Sequence, residues 1–316
     1  MGGYLLRRLL AAIPSLLLVS LAVSALVRLV PGDVVMARLA EGGYVTPEVL
    51  AKMRESLGID RPFLVQYLDW GSHLLRGDFG KSLWTAEPVL PRILTSVGVS
   101  AQIAIMAILL SVVIAIPLGV LSASHRESPI DYGARLFAIT GLSLPDFWIA
   151  TMLILVLTLW VGWLPEFRFV AIWRDPSTNL QTTIFPAAIV GYRFSAITAR
   201  MMRSTMLEVL REDYIRTARA KGLRDRAVLY RHALRNAIIP VLTVIGGQIG
   251  VLLGGLVVIE TVFSLPGMGR LIFDSVTRRD YPLLQGVVML IAVFYIAVNL
   301  LIDVAYAAID PRIRYH

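Results

Sequence analysis

The chain has 316 residues, 57% of them apolar and only 16% charged, with a mean hydropathy of +0.71. Soluble domains carry roughly 25% charged residues, so this chain cannot clothe a globular surface of its size, and most of its outside must face lipid. It has no cysteine for disulfide or thiolate chemistry; His73, His125, His232 and His316 lack ligand spacing; and the net charge of +8 sits mainly in short loops between apolar runs, which excludes a nucleic-acid groove.

A helix crossing a bilayer needs about 20 apolar residues. Six stretches qualify: Leu9–Val30, Val99–Ser122, Gly133–Trp163, Thr183–Met202, Ile238–Val262 and Leu283–Ala308. The fold class read from them is all-α, a polytopic membrane protein with about six transmembrane helices, kinked at Pro14, Pro117, Pro145 and Pro186. The first stretch is longer than the 7 to 15 apolar residues of a typical cleaved signal, so it reads as a retained anchor. Residues 1–95 then form an N-terminal transmembrane helix plus an external helical segment. Residues 96–316 form a five-helix core with a cytoplasmic loop at 203–236.

In the external segment, Thr46 and Pro47 mark a helix start that Gly58 ends, and Phe63–Leu75 forms a second amphipathic helix, giving a small external helical cap. Gly77 to Ser82 resembles the end of a phosphate-binding loop, yet the glycine required five residues before Gly80 is Leu75. The chain is expected to lack its own ATP site. Basic residues concentrate at Arg7 and Arg8, around Arg126 and Arg135, from Arg203 to Arg235, and at Arg312 and Arg314, which puts both termini in the cytoplasm.

Charges within spans are costly and face a bundle interior or a wet path. Asp146, in the middle of the third span, and Arg193, in the middle of the fourth, either pair and hold two helices in register or line a translocation path. Glu260 and Asp303, nearer span ends, read as interfacial or packing residues. In the fifth span Gly246, Gly250 and Gly254 recur every four residues on one helix face, a pattern for close helix packing.

The stretch from Glu212 to Asp225 is the most informative. Asp213 starts a helix of about two turns, cations crowd its last turn, and Gly222 ends it; a second helix runs from Asp225 towards Pro240. A helix that short needs outside contacts. Tyr214, Ile215 and Ala218 give it an apolar face, and with the small residues up to Gly222 they read as a docking knob for another protein.

Here the chain resembles the inner-membrane permease subunits of ATP-binding-cassette importers, in particular the dipeptide, oligopeptide and nickel group. The residues that carry the resemblance run along nearly the whole chain: Leu6 to Leu9 with Val30 to Asp33, Gly77 to Gly80, Glu212 to Gly222, His232 to Ala237 with Pro240, Pro266 to Arg270, Arg279 to Pro282 and Asp310 to Arg314. Where importer permeases generally carry Glu-Ala-Ala ahead of the fixed glycine, this chain has Arg216, Thr217 and Ala218 ahead of Gly222, a departure typical of the peptide group. The resemblance implies a homologous second permease, two cytoplasmic ATPase subunits that bind ATP and Mg, and an extracytoplasmic substrate-binding protein. It implies that Tyr214, Ile215, Ala218, Arg219, Gly222 and Leu223 form the ATPase-coupling segment, and that the chain itself holds no cofactor. An ion-coupled secondary transporter is the rival reading; it needs coupling carboxylates or two related halves, and Asp146 is a lone candidate.

Overall fold

The computed structural model describes residues 2–29, 35, 47–56, 58, 60–164 and 169–309. The motifs at 30–33 and 310–314 and the Thr46 cap lie outside them. In chain order the helices are α1 (Gly2–Leu29), α2 (Pro47–Ser56), α3 (Phe63–Leu75), α4 (Val89–Ser124), α5 (Pro129–Ser143), α6 (Asp146–Val161), α7 (Pro176–Val209), α8 (Asp213–Ala220), α9 (Leu234–Gly255), α10 (Val257–Val262), α11 (Met268–Thr277) and α12 (Tyr281–Ile309). A short turn, Asp225–Ala227, and a wider π-helical stretch, Val228–Ala233, lead into α9. Among the described residues the only extended pairing is an isolated bridge between Lys81 and Pro88.

Four helical stretches are long and apolar enough to cross a bilayer: Arg7–Leu26, Val89–Ser124, Asp225–Leu252 and Tyr281–Ile302. The pair α5 and α6 makes a fifth, bent by 102°. Two of the expected spans therefore differ from the sequence reading. The third is not one kinked helix but two, because Pro145 disfavours helical backbone at the residue before it and Leu144 is extended, with φ −89° and ψ 128°. Asp146 consequently opens α6 instead of standing in mid-span. The fourth lies within α7, which has the length, at 34 residues, but whose apolarity is diluted by Arg193 and by Thr182, Thr183, Ser195 and Thr198. Those four hydroxyl residues are buried, while large apolar side chains such as Leu18, Val113 and Leu159 stand outward. The molecule is a multi-pass membrane protein, with hydroxyl side chains inside and large apolar side chains outside.

Two compact units are present: residues 1–100 with 266–316, and residues 101–265. The sequence reading instead kept 266–316 with the core beginning at residue 96. The C-terminal part joins the N-terminal part because α12 packs along α1, where Gln285 Nε2 donates to Ser24 Oγ at 2.7 Å in a buried bond. The core of this unit gathers Val89 and Ile93 with Met268, Leu271, Leu283 and Val287. Within the same unit α3 meets α1 through the Ser20 and Tyr67 hydroxyls, 2.8 Å apart.

In the second unit α7 packs against α5 and α9. Asp175 caps its start, accepting from the amides of Ser177 and Thr178 at 3.0 and 3.2 Å, and the Thr178 hydroxyl holds its carboxyl below the ordinary carboxylate range. The core runs through Val120, Met202, Met206, Ile215, Val228, Ala237 and Val241. Helix α4 comes so near α7 that a Cβ built on Gly119 would lie 2.6 Å from Met202 Cβ and 2.9 Å from the Ala199 carbonyl oxygen. Gly119→Leu should therefore cost about 1 to 3 kcal/mol by overpacking. Thermal unfolding in detergent checks it, with Gly133→Leu as control: a Cβ there meets nothing within 4 Å, so its melting point should stay at the wild-type value.

Candidate functional site: the α8 segment and its charged supports

Helix α8 spans eight residues, too few to persist alone. Its end is closed by Gly222, whose φ of +75° suits a residue without Cβ. The Gly222 amide donates to the Arg219 carbonyl at 2.9 Å and the Leu223 amide to that of Ala218 at 3.4 Å, the double closure of a Schellman turn. Ile215 has no exposed surface and Ala218 has 7%; both sit in the chain's own core beside Met202, Met206 and Val228. Two of the residues that the sequence reading placed on an apolar docking face, Ile215 and Ala218, are thus buried within this chain and anchor α8 to it. The reason is the length of the helix: it joins the bundle through its apolar side, leaving the other side free.

That outward side carries Arg216, Thr217, Arg219 and Ala220, followed by exposed Lys221, Gly222, Leu223 and Arg224. Tyr214 stands at the border, 41% exposed, its hydroxyl accepting from Asn236 Nδ2 at 2.7 Å. Asn236 belongs to the His232–Ala237 motif, so two of the sequence's most distinctive stretches meet here. Among the described residues the segment is otherwise lightly tied, by exposed pairs of Arg216 with Asp213 at 3.2 Å and Arg219 with Asp225 at 4.0 Å. Such pairs contribute about 0 to 1 kcal/mol. The arrangement is a basic, exposed ledge on a rigid base.

Asp146 and Arg193 come together. Arg193 Nη1 donates to Asp146 Oδ2 at 2.8 Å, linking α6 to α7, with the arginine side chain 52% exposed. Asp146 Oδ1 is buried without a hydrogen-bond partner among the described residues. Of the glycines, Gly246 and Gly250 are buried in α9, while Gly254 falls outside the described side chains, as does Asp303. Glu260 is fully buried in α10.

Sequence reasoning missed the strongest tie in this unit. Asp131, fully buried in the first turn of α5, accepts from Arg203 Nε and Nη2 at 2.7 and 2.9 Å, from Ser122 Oγ at 2.6 Å, from the Glu127 amide at 3.1 Å and from Arg135 Nη2 at 3.1 Å. It fastens α4, α5 and α7 to one another. The local signal was there, an aspartate and an arginine four residues apart after a Ser128-Pro129 helix start, but the long-range partner was not. In the other unit Asp280 plays a comparable part: it accepts from the Leu83 amide at 3.0 Å and from the Ser82 hydroxyl, which itself accepts from the amides of Trp84 and Thr85. The loop that resembled a phosphate cradle is thus a knot held by Ser82. Among the described residues no group of His, Asp or Glu side chains gathers as metal ligands would.

Comparison with known proteins now bears on this geometry. Residues 115–315 match the family described as binding-protein-dependent transport system inner membrane component, and residues 1–104 match the N-terminal model of such membrane components. The chain belongs to this family. It is the membrane component of such a transport system, not an ATPase. A probable peptide ABC transporter permease of Sinorhizobium fredii is 40% identical, and a dipeptide transport system permease of Alkalihalophilus pseudofirmus is 37% identical, each over 100% of both chains. A glutathione transport system permease of Salmonella choleraesuis is 40% identical, again over 100% of both chains.

Removing Asp131 would leave Arg203 and Arg135 without their counter-charge, a change that typically costs about 3 to 5 kcal/mol. Asp131→Ala should accordingly lower the melting point in detergent sharply. Arg216→Gln, which breaks only an exposed pair, should leave it unchanged.

Proposed function

We propose that this chain is one of two homologous permease subunits of an ATP-driven importer, and that the basic ledge of α8 is where a cytoplasmic ATPase subunit docks. One observation carries this reading: α8 is buried on one side and exposed on the other, so a push on Tyr214, Arg219 or Leu223 reaches Met202 and Met206 through Ile215. The family membership and the names of the full-length relatives support it, and those names, which speak of peptides, dipeptides and glutathione, favour small peptides as the cargo class.

In this mechanism two ATPase subunits bind ATP and Mg, and a binding protein delivers the solute from outside. The second permease supplies the other half of the path. Both termini lie in the cytoplasm of a bacterial or archaeal cell whose inner membrane holds the chain. ATP binding favours one state of the bundle over the other, which is the condition for driving a change at all. The pair of Asp146 and Arg193 lies on α6 and α7, and its half-exposed arginine suits a position along the path.

The α8 terminus tests the idea. Gly222→Val forces a β-branched residue into a left-handed conformation, a strain of about 1 to 3 kcal/mol, and should distort the Schellman closure without touching the core. Uptake should fall by roughly tenfold or more at unchanged membrane abundance, and the ATPase activity that co-purifies with a C-terminally tagged chain should lose its response to the loaded binding protein. Wild-type uptake in this variant would overturn the coupling role. Solute movement by the purified chain alone, without ATP, would favour an ion-coupled transporter.

A further inference from the structure

Between α4, α5 and α7, the second unit holds an open groove of about 370 Å³ whose walls change character along its length. At one end stand Arg135 and Arg203, with Arg200 about one turn along α7; towards the other lie Leu118, Ile139 and Leu142. Ile139 and Leu142 are exposed at 60% and 39%, apolar surface suited to hydrocarbon. Arg135 and Arg203 share the one carboxylate of Asp131, whereas exposed Arg200 forms no ion pair among the described residues. Three guanidinium groups against one carboxylate leave two positive charges at that end. Arg135 Nε is in addition buried without a hydrogen-bond partner among the described residues.

The depth of the groove is readable from the same helices. Ser128 and Pro129 start α5 a little under two turns before Arg135, and exposed His125 and Arg126 lie just beyond, so the arginines sit where an apolar stretch meets a polar loop. A free anion would satisfy the arginines and make no use of Ile139 and Leu142. A hydrocarbon chain would do the reverse. We propose that this groove binds one anionic phospholipid, its phosphate on Arg135 and Arg200 and an acyl chain along Leu118, Ile139 and Leu142. The Asp131 clasp serves the site by holding Arg135 and Arg203 at one level. This inference rests on the groove alone and stands apart from any coupling role of α8.

The test uses the full chain, delipidated in detergent and titrated with phosphatidylglycerol, phosphatidylcholine or inorganic phosphate. Lipid retention is read by native mass spectrometry and stability by thermal unfolding. One phosphatidylglycerol per chain should be retained and should raise the melting point, with phosphatidylcholine held about fivefold more weakly, the scale set by a basic residue facing an anionic headgroup. Arg200→Gln should weaken phosphatidylglycerol by about the same factor while leaving the lipid-free melting point unchanged. Ile139→Gln, which removes apolar surface without placing a charge one turn from Arg135, should weaken it from the acyl end. Equal retention of the two lipids overturns the proposal, as does wild-type retention in both variants. A full melting-point shift from inorganic phosphate alone also overturns it, by assigning the groove to a free anion.

Discussion

Ile215 is the residue on which the outward architecture depends. A helix of eight residues with cations along its exposed side has no stability of its own, and burying one isoleucine side chain completely supplies about 1.5 to 3 kcal/mol. Ala218 is small enough to let the helix lie flat on the core, and the Schellman closure at Gly222 satisfies the carbonyls that a two-turn helix would otherwise leave open. The consequence is a segment that is both rigidly seated and almost wholly exposed on its outer side. A flexible loop with the same charges could bind a partner but could not pass a displacement to α7.

The buried charges follow a common rule. Asp131 and Asp280 each collect several donors at one point, and each joins pieces of chain far apart in sequence, Asp131 with Arg203 and Asp280 with Ser82. In an environment poor in water an unpaired carboxylate is strongly penalised, so these aspartates specify which helices meet as well as adding stability. Asp146 is different. Among the described residues its side chain has one partner, Arg193, that is half open, and one oxygen without a donor. Of the three it is the least committed.

Much of this was written in local pattern. The span at Val99–Ser122 falls inside α4, the amphipathic helix at Phe63–Leu75 has the same bounds in the structure, and the short helix ending at Gly222 follows from its glycine and its charges. What local pattern could not supply was direction. Ile215 and Ala218 are apolar whether they face a partner or the chain's own core, and only the positions of Met202, Met206 and Val228 decide. Proline gave a similar ambiguity: Pro14, Pro117 and Pro186 sit inside continuous helices, while Pro145 ends one, because Leu144 adopts the extended backbone that a following proline favours. The Asp131 cluster needed Arg203, seventy-two residues away, and no spacing rule reaches that far.

The π-helical stretch at Val228–Ala233 acts on everything after it as a change of phase. Each residue of an α-helix advances the side-chain direction by about 100°, and a π turn inserts an extra residue without breaking the rod. At its two ends Val228 and Ala233 are buried in the core; downstream, Asn236 reaches Tyr214, and Gln248 donates to the Thr198 hydroxyl at 3.0 Å and to the Phe194 carbonyl at 3.3 Å. The wide turn sets the angular offset between these contacts. Losing a single residue there would rotate α9 by more than a quarter turn relative to Val228, so that the rod could keep Val228 in the core or its grip on Tyr214 and α7, but not both.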